Sequence, residues 1–397
     1  MKRYILGLFC LLSLSTFGQK AGVVVFGATP AGLAAAIQSA HSGVKTVLID
    51  QNGMDQVVLT ASDKAYRIGV YADFLKRVDS LQKGKNLSNE NLLPAYTATV
   101  FKGWTDTIKN LSVIRKGLVK KIEKDGKNWE IELIDKREIK ADLVIDATKS
   151  NTIAKLAKVN AAPIRTTTGI YPDKIYRTSV AISEAKGYYP AGVPVTSLFA
   201  QNADNFLIIS ESLNPNLLIG QGAGTAAAYC AFFKVTTKDL DIRKTQGELS
   251  TFNSQFLKFD DVRVTDSLAG SIQKIAITGI LKGKLKNNQF LFLHDSTVTI
   301  DEIKQPIREY YSRSQIWFLD HKAERLTIAD VLSLIKFTGS RGNELDKEVE
   351  RGWNKTLRLT GKYDPKKLIT RREFARLVDL YLKPFERKID LEGNLKS

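Results

Sequence analysis

Gly27 and Gly32 bracket a short stretch, Gly27-Ala28-Thr29-Pro30-Ala31-Gly32, between the β-branched run Val23-Val24-Val25-Phe26 and the small-residue run Leu33 to Ala40. A glycine at the first position lets a strand turn sharply, and one at the last lets the following helix pack closely on the sheet. The amide groups at the start of that helix then suit a pyrophosphate. Thr29 stands where the usual pattern has its middle glycine, so the fingerprint is incomplete. Asp50 closes the next apolar run, Lys45-Thr46-Val47-Leu48-Ile49-Asp50, where an acid would accept hydrogen bonds from an adenosine ribose. An acid there disfavours a 2′-phosphorylated nucleotide and leaves FAD and NAD open. The competing explanation is that the glycines only permit packing in an α/β protein.

A second small-residue stretch, Leu217-Leu218-Ile219-Gly220-Gln221-Gly222-Ala223-Gly224-Thr225, leads toward Ala226 to Phe233. A glycine-rich helix start late in such a domain would aim another helix dipole at a ligand and let backbone touch a flat ring. A nicotinamide enzyme has no standard need for this and a flavin enzyme does, so the stretch selects FAD. Other chemistries find little support. The three histidines, His41, His294 and His321, are too scattered for a metal cluster. Ser183-Glu184 and Ser210-Glu211 have no histidine at useful spacing for a hydrolytic triad. No catalytic acid or base can be named. Tyr188-Tyr189-Pro190 and Trp353 are candidates for stacking a sugar, although aromatic residues are more often core.

The elements that must position these residues alternate. Strand, helix and strand across Val23 to Asp50 make a βαβ unit. Helices are expected around Tyr71 to Lys83 and again before Trp104, then strands at Ser112 to Ile114, Leu118 to Ile122 and Trp129 to Ile134. Ala141 to Thr148 reads as a buried parallel strand beside the first one, and Asn205 to Ile209 as another. From about Asp260 the pattern changes to amphipathic helices, with Ile272, Ile275, Ala276 and Ile280 near helical spacing. Thr299 to Ile303 and Thr370 to Phe374 each look like a capping-box helix start. The expected fold is α/β: a Rossmann-type FAD/NAD(P)-binding domain with a parallel central sheet over residues 19–250, and a small, mostly helical domain over 260–397.

Lys2 and Arg3, the apolar run Tyr4 to Leu14, and Ser15, Thr16 and Gly18 have the layout of a signal peptide over residues 1–18. That run falls short of the roughly 20 residues a membrane span needs. The mature chain is therefore expected to be exported, periplasmic or secreted, without a transmembrane span. Cleavage would leave Cys230 alone, hence no intramolecular disulfide. A net charge of +17 could serve an anionic partner, but the lysines are spread along the chain. A solvated basic surface is favoured, and nucleic acid is not expected.

Taken in order, these motifs resemble those of FAD-dependent oxidoreductases of the glutathione-reductase type. Members show a first motif like Gly-Gly-Thr-Pro-Ala-Gly, a later Ile-Asp-Ala-Thr-Gly, and Met-Gly-Gln-Ala-Ala-Gly-Thr-Ala-Ala-Ala. Here these are Gly27 to Gly32, Ile145-Asp146-Ala147-Thr148, and Ile219 to Ala228. The resemblance implies FAD as cofactor. It places the pyrophosphate on Gly27, Thr29, Pro30, Ala31 and Gly32, the ribose on Asp50 and the adenine on the Val119 backbone. Ala147 and Thr148 would lie along the dinucleotide, and the turn with Gln221, Gly222, Gly224 and Thr225 would face the flavin end. The implied activity is hydride transfer to flavin from a small organic substrate, such as a carbohydrate-derived alcohol. Three departures stand out: Lys149 replaces a glycine, only Gly53-Met54 remains of a second glycine stretch, and the substrate-facing region is cut to about Asn151 to Asp204. They raise the alternative of a catalytically degenerate binding module. The C-terminal helices loosely resemble S-layer homology modules through Asp266-Ser267-Leu268, Thr278 to Gly283 and Thr370-Arg371-Arg372-Glu373-Phe374-Ala375, which implies a cell-wall polymer or glycan as partner.

Overall fold

The computed structural model describes residues 18–81, 94–163, 171, 173–183 and 192–396. Residues 1–17 of the expected signal peptide, Glu184 and Tyr188-Tyr189-Pro190 lie outside the described residues. The first half contains β1 (Gln19–Phe26), α1 (Pro30–His41), β2 (Thr46–Asp50), α2 (Ala61–Lys64), α3 (Gly69–Leu81) and α4 (Pro94–Thr107). Next come β3 (Leu111–Arg115), β4 (Val119–Asp125), β5 (Asn128–Leu133), β6 (Glu138–Asp146), α5 (Thr152–Leu156), β7 (Ser179–Ile182), β8 (Gly192–Pro194) and β9 (Phe206–Ile208). The half ends with α6 (Leu217–Phe233) and α7 (Ile242–Thr251).

The seven-stranded sheet runs β3-β2-β1-β6-β5-β4, with β9 also on β6. β1 pairs in parallel with β2 and β6, and β2 with β3. The end of β6 takes β9 in parallel, whereas its start takes β5 antiparallel. The central strands are buried on both faces, which explains why Val23 to Phe26 and Val47 to Ile49 are apolar without alternation. In β5, by contrast, Trp129, Ile131 and Leu133 are buried and alternate with more exposed neighbours, as expected of a meander covered on one face. The parallel centre expected from sequence is therefore present, extended by an antiparallel flank. The small hairpin of β7 and β8 stands apart from the sheet.

The second half comprises α8 (Ala269–Thr278), β10 (Lys284–Lys286), β11 (Gln289–Leu291), α9 (Ile300–Tyr310), α10 (Ser314–Asp320), α11 (Ile328–Gly339), α12 (Glu344–Gly352) and α13 (Arg371–Tyr381). Thr299 caps α9 by accepting from the Glu302 amide, and Thr370 forms a full capping box with Glu373 on α13. The sequence supplied a third start of the same kind: Thr327 and Asp330 form the capping box of α11. The three starts close on one another. Val298 N–H donates to Ile369 O (3.1 Å), Ile369 N–H to Leu326 O (2.9 Å), and Leu326 N–H to Val298 O (3.1 Å). A second ring repeats this two residues outward, from Ile300 to Glu324, Ile328 to Lys367 and Arg371 to Ser296. The helices α9, α11 and α13 thus radiate from a hub with pseudo-threefold symmetry, each helix start satisfying its neighbour's backbone.

The halves are riveted by charge. Arg177, just before β7, donates through both Nη atoms to Glu309 on α9 at 2.8 Å each, and Lys174 reaches the same carboxylate at 2.8 Å. The Arg177 side chain is 4% exposed.

Candidate functional site

The candidate site lies at the carboxyl ends of β1, β2 and β6, where a doubly wound sheet places its ligands. Gly27 leaves β1 at φ +93, and a Cβ on it would lie 2.8 Å from Ala147 O. Its N–H donates to Ile49 O (2.9 Å) while Ala147 N–H donates to Phe26 O (2.9 Å), so the ends of all three strands meet at this glycine. A Cβ on Gly32 would fall 1.9 Å from Gly27 O, which leaves no room for any side chain. Thr29 accounts for the missing middle glycine. Its hydroxyl donates to Ala147 O (3.0 Å) and accepts from Gly32 N–H (3.1 Å), capping α1 and tying the turn to β6. Pro30 occupies the first helical turn, where its lack of an N–H costs nothing. The Ala31 N–H, in a residue 2% exposed at the positive end of α1, has no acceptor among the described residues.

Asp50 is 1% exposed. Its Oδ1 accepts from Gly53 N–H (2.9 Å), and its Oδ2 has no partner. A buried carboxylate oxygen left unpaired carries a desolvation cost that a ligand hydroxyl would remove. Gly53-Met54 therefore does not repeat a flavin-side glycine stretch; Gly53, at φ +91, turns the chain back so that its amide holds Asp50. Gly117 N–H donates to Asp50 O (3.1 Å), and Val119 follows two residues later at an irregular start of β4. Val119 thus belongs to the same end of the sheet as Asp50. Ala147 and Thr148 are held by the buried Asp146, whose carboxylate accepts from Thr148 N–H (2.9 Å), Thr148 Oγ1 (2.6 Å) and Ala154 N–H (2.7 Å). Burial nevertheless pushes the Asp146 carboxyl above its ordinary value. The backbone after Thr148 departs from a glycine turn. Lys149 is exposed, and Ser150 (φ 57) and Asn151 (φ 50) take the left-handed conformation. Glu211 accepts from Ser150 N–H at 3.2 Å.

The late glycine segment behaves differently from expectation. Gln221, Gly222, Gly224 and Thr225 do not form a turn at a ligand; they lie inside α6, which begins at Leu217, and all are buried. A Cβ on Gly220 would be 2.0 Å from Ala31 O, and one on Gly224 2.4 Å from Ala35 O, so this pair lets α6 pack backbone to backbone on α1. Gly222 does the same against Val180 O at 2.7 Å. Gln221 accepts from Val70 N–H (3.2 Å) and donates to Gln38 (2.9 Å), while Thr225 donates to Gln221 O (2.9 Å). The glycines are needed for helix packing, the physical cause of the same small-residue pattern.

The open end of α6 is its first turn, and sequence reasoning missed what stands there. Asp63 of α2 accepts from Leu217 N–H through Oδ1 (2.9 Å), and Thr60 N–H and Oγ1 donate to its Oδ2 (2.8 Å each). Asn216 caps Ile219 N–H (2.9 Å). Burial raises the Asp63 carboxyl against the pull of the Thr60 and Leu217 donors. The signal for Asp63 was a capping pattern, Thr60-Ala61-Ser62-Asp63, whose link to Leu217 spans too much sequence to be read locally.

Other candidates fall into place as structure. Trp353 is buried, edge-on to Tyr363, rather than exposed for stacking. Arg371, 1% exposed, donates to Phe292 O, Lys282 O and Glu302, and Arg372 pairs with Asp266. Cys230 is free and buried, its thiol pushed up to about 12 by burial. No group of three metal-ligating side chains exists among the described residues, and none of their helices is long and apolar enough to cross a membrane.

Tested on these residues, a dinucleotide fits in part. The glycine turn, the free Ala31 amide and the unpaired Asp50 oxygen suit an adenosine diphosphate portion, whereas the first amide of α6 is already taken. Residues 22–169 match the model of the FAD dependent oxidoreductase family. Among solved structures, the chain is similar to a flavoprotein/dehydrogenase from Cytophaga hutchinsonii at 19% identity, covering 37% of this chain and 44% of that one, TM-score 0.29. It is similar to the anhydrotetracycline hydroxylase OxyS from Streptomyces rimosus at 15% identity, covering 38% and 39%, TM-score 0.27. It is also similar to p-nitrophenol 4-monooxygenase PnpA from Pseudomonas putida DLL-E4 at 14% identity, covering 54% and 79%, TM-score 0.30. The chain spans less than half the length of the first two of these proteins. No curated protein matches it. The family match contains the Gly27–Gly32 turn, Asp50, Val119, Ala147 and Thr148, stops before α6, and indicates FAD as the dinucleotide.

Proposed function

We propose that the chain is an exported FAD-dependent oxidoreductase that moves a hydride from a small organic substrate, such as a carbohydrate-derived alcohol, to the flavin. The observation that carries this is the unpaired Asp50 Oδ2 beside the Gly27–Gly32 turn and the open end of α1. In this role Gly27, Thr29, Pro30, Ala31 and Gly32 line the pyrophosphate, Ala31 donating its amide. Asp50 accepts from the ribose, the Val119 backbone borders the adenine, and Ala147 with Thr148 forms the floor. Gln221, Gly222, Gly224 and Thr225 act indirectly, by fixing α6 against α1. Bound FAD supplies the hydride-accepting ring; the chain supplies position and an electrostatic frame. Purified protein should be yellow and release FAD on denaturation, and its flavin absorbance should bleach anaerobically with an alcohol or sugar substrate. Folded protein that stays colourless and takes up no FAD in titration overturns the assignment.

A second function is favoured by one observation, the carboxylate on the first amide of α6. It is a flavoprotein fold kept as a binding module, its C-terminal hub meeting a cell-envelope polymer or glycan. Because Arg371 and Arg372 are consumed internally, such a polymer would be met by other residues. Yellow protein whose flavin no substrate bleaches, and which pulls down with envelope polymer, supports this function.

A further inference from the structure

Helix α6 runs back past β1 and ends beside the amino ends of the strands: a Cβ on Gly22 of β1 would lie 3.4 Å from the Ala231 Cβ. Leu217 to Ala228 are all buried, yet the helix finishes on Phe232 and Phe233, which are 64% and 49% exposed. The two rings meet edge to face at 5.0 Å, and the Tyr229 ring stands 4.6 Å from that of Phe233. Phe232 lines two shallow hollows, of about 280 and 710 Å³, one on either side of it. Lysines rim both. Lys234 pairs with Asp142 and Lys140 with Asp125. Lys20, Lys45 and Lys244 are exposed, carry no ion pair among the described residues, and face one remaining rim acid, Glu248. Three cations against one acid leave an excess of two positive charges around the rings. The Lys244 ammonium sits 5.4 Å above the Phe233 ring.

We propose that this face, the last turn of α6 with the amino ends of β1 and β2, docks on an anionic phospholipid surface. Adjacent phenylalanines held in water carry a cost that burial at the headgroup boundary removes. Lysines around them reach lipid phosphates while their apolar stems cover the edge of the rings. A second copy of this chain is the poorer occupant, because a twofold contact would set the same unpaired lysines against each other. The chain also enters the fold at this edge: residues 1–17, with the apolar run Tyr4 to Leu14, precede Gln19 at the start of β1. The Gly27–Gly32 turn is at the far end of β1, a strand of eight residues, hence about 25 Å away. Docking would leave that turn open to water. The inference does not depend on the FAD assignment.

The test is cosedimentation of the full chain with vesicles of phosphatidylcholine alone and of equal parts phosphatidylcholine and phosphatidylglycerol. Wild type should prefer the mixed vesicles about tenfold or more, and added salt should erase that preference. The double variant Phe232→Ser with Phe233→Ser should bind the mixed vesicles about tenfold more weakly. Lys20→Glu with Lys45→Glu should do the same and remove the preference for phosphatidylglycerol. All four side chains are exposed, so circular dichroism should match wild type in both variants. Equal binding by wild type and the phenylalanine variant overturns the proposal, since the apolar run Tyr4 to Leu14 then accounts for the attachment. Binding that ignores lipid charge overturns it as well. No binding to either vesicle, with self-association that the phenylalanine variant abolishes, overturns it in favour of a second copy; no binding and no self-association overturns it outright.

Discussion

Asp50 and Gly32 show how little of the proposed nucleotide site would be carried by side chains. Asp50 accepts from Gly53 with one oxygen and leaves the other buried and unpaired, a cost that a ribose hydroxyl would remove in the proposed role. Asp50→Asn should therefore leave the melting temperature near wild type, within about 1 kcal/mol, while weakening ADP binding at least tenfold in calorimetry. A parallel loss of stability would mean that Asp50 serves the fold. Gly32→Val should destabilise the α/β half by roughly 3 kcal/mol or more, because its side chain has nowhere to go, and flavin retention should vanish with it. Both residues were legible in the sequence because their demands are local: a turn too tight for a Cβ, and an acid closing a strand. Thr29 was half legible. Its departure from glycine was visible, but its bond to Ala147 joins residues far apart in the chain.

At the scale of elements, the α1–α6 contact explains why local reading stopped short. A run such as Gly220-Gln221-Gly222-Ala223-Gly224 satisfies two physical demands equally, backbone approach to a ligand and backbone approach to another helix. Only the three-dimensional partner, Ala31 and Ala35, decides between them. Gly224→Val should push α6 from α1 and cost roughly 3 kcal/mol, read as a lower denaturation midpoint at unchanged slope. In the C-terminal half, two of the three helix starts were recognised from Thr and an acid three residues on. Thr327 with Asp330 obeys the same rule, and Ile328 and Val331 match Ile300 and Ile303, so this start was equally legible and was overlooked. Thr327→Ala and Thr370→Ala should each cost about 1 kcal/mol, measurable by chemical denaturation. A clear inequality would show that the hub is less symmetric energetically than in shape.

For the whole molecule, the Arg177–Glu309 rivet makes the two halves interdependent. The Arg177 guanidinium holds the Glu309 carboxyl at about 2, well below its ordinary value of 4.5. A carboxyl lowered in the folded state contributes stability that is complete above about 4.5 and is lost as pH falls toward 2. Asp63, Asp146 and Asp379, raised by burial, act in the opposite sense: their cost disappears as they protonate. Glu309→Gln should flatten the acid limb of stability between those pH values. At neutral pH it should cost about 3 kcal/mol, since it leaves the buried Arg177 uncompensated. Partial exposure of Glu309, 26% of its side chain, trims that figure through solvent screening. An unchanged acid limb would remove Glu309 from the ledger. This joint between distant segments lay beyond sequence reading, because a charge pair spanning 132 positions leaves no periodic trace.

The ring that joins Val298, Leu326 and Ile369 is a closed circuit, complete only with all three members. Each member donates to one neighbour and accepts from the other, so two members alone make a single link and leave the remaining donors and acceptors to water. Until the third member joins, α9 and α11 stand as an open arc. The circle closes only when Ile369 joins Val298 and Leu326, making two bonds at once. A chain without that residue would keep a single bond of the ring, from Leu326 to Val298, and leave the hub open.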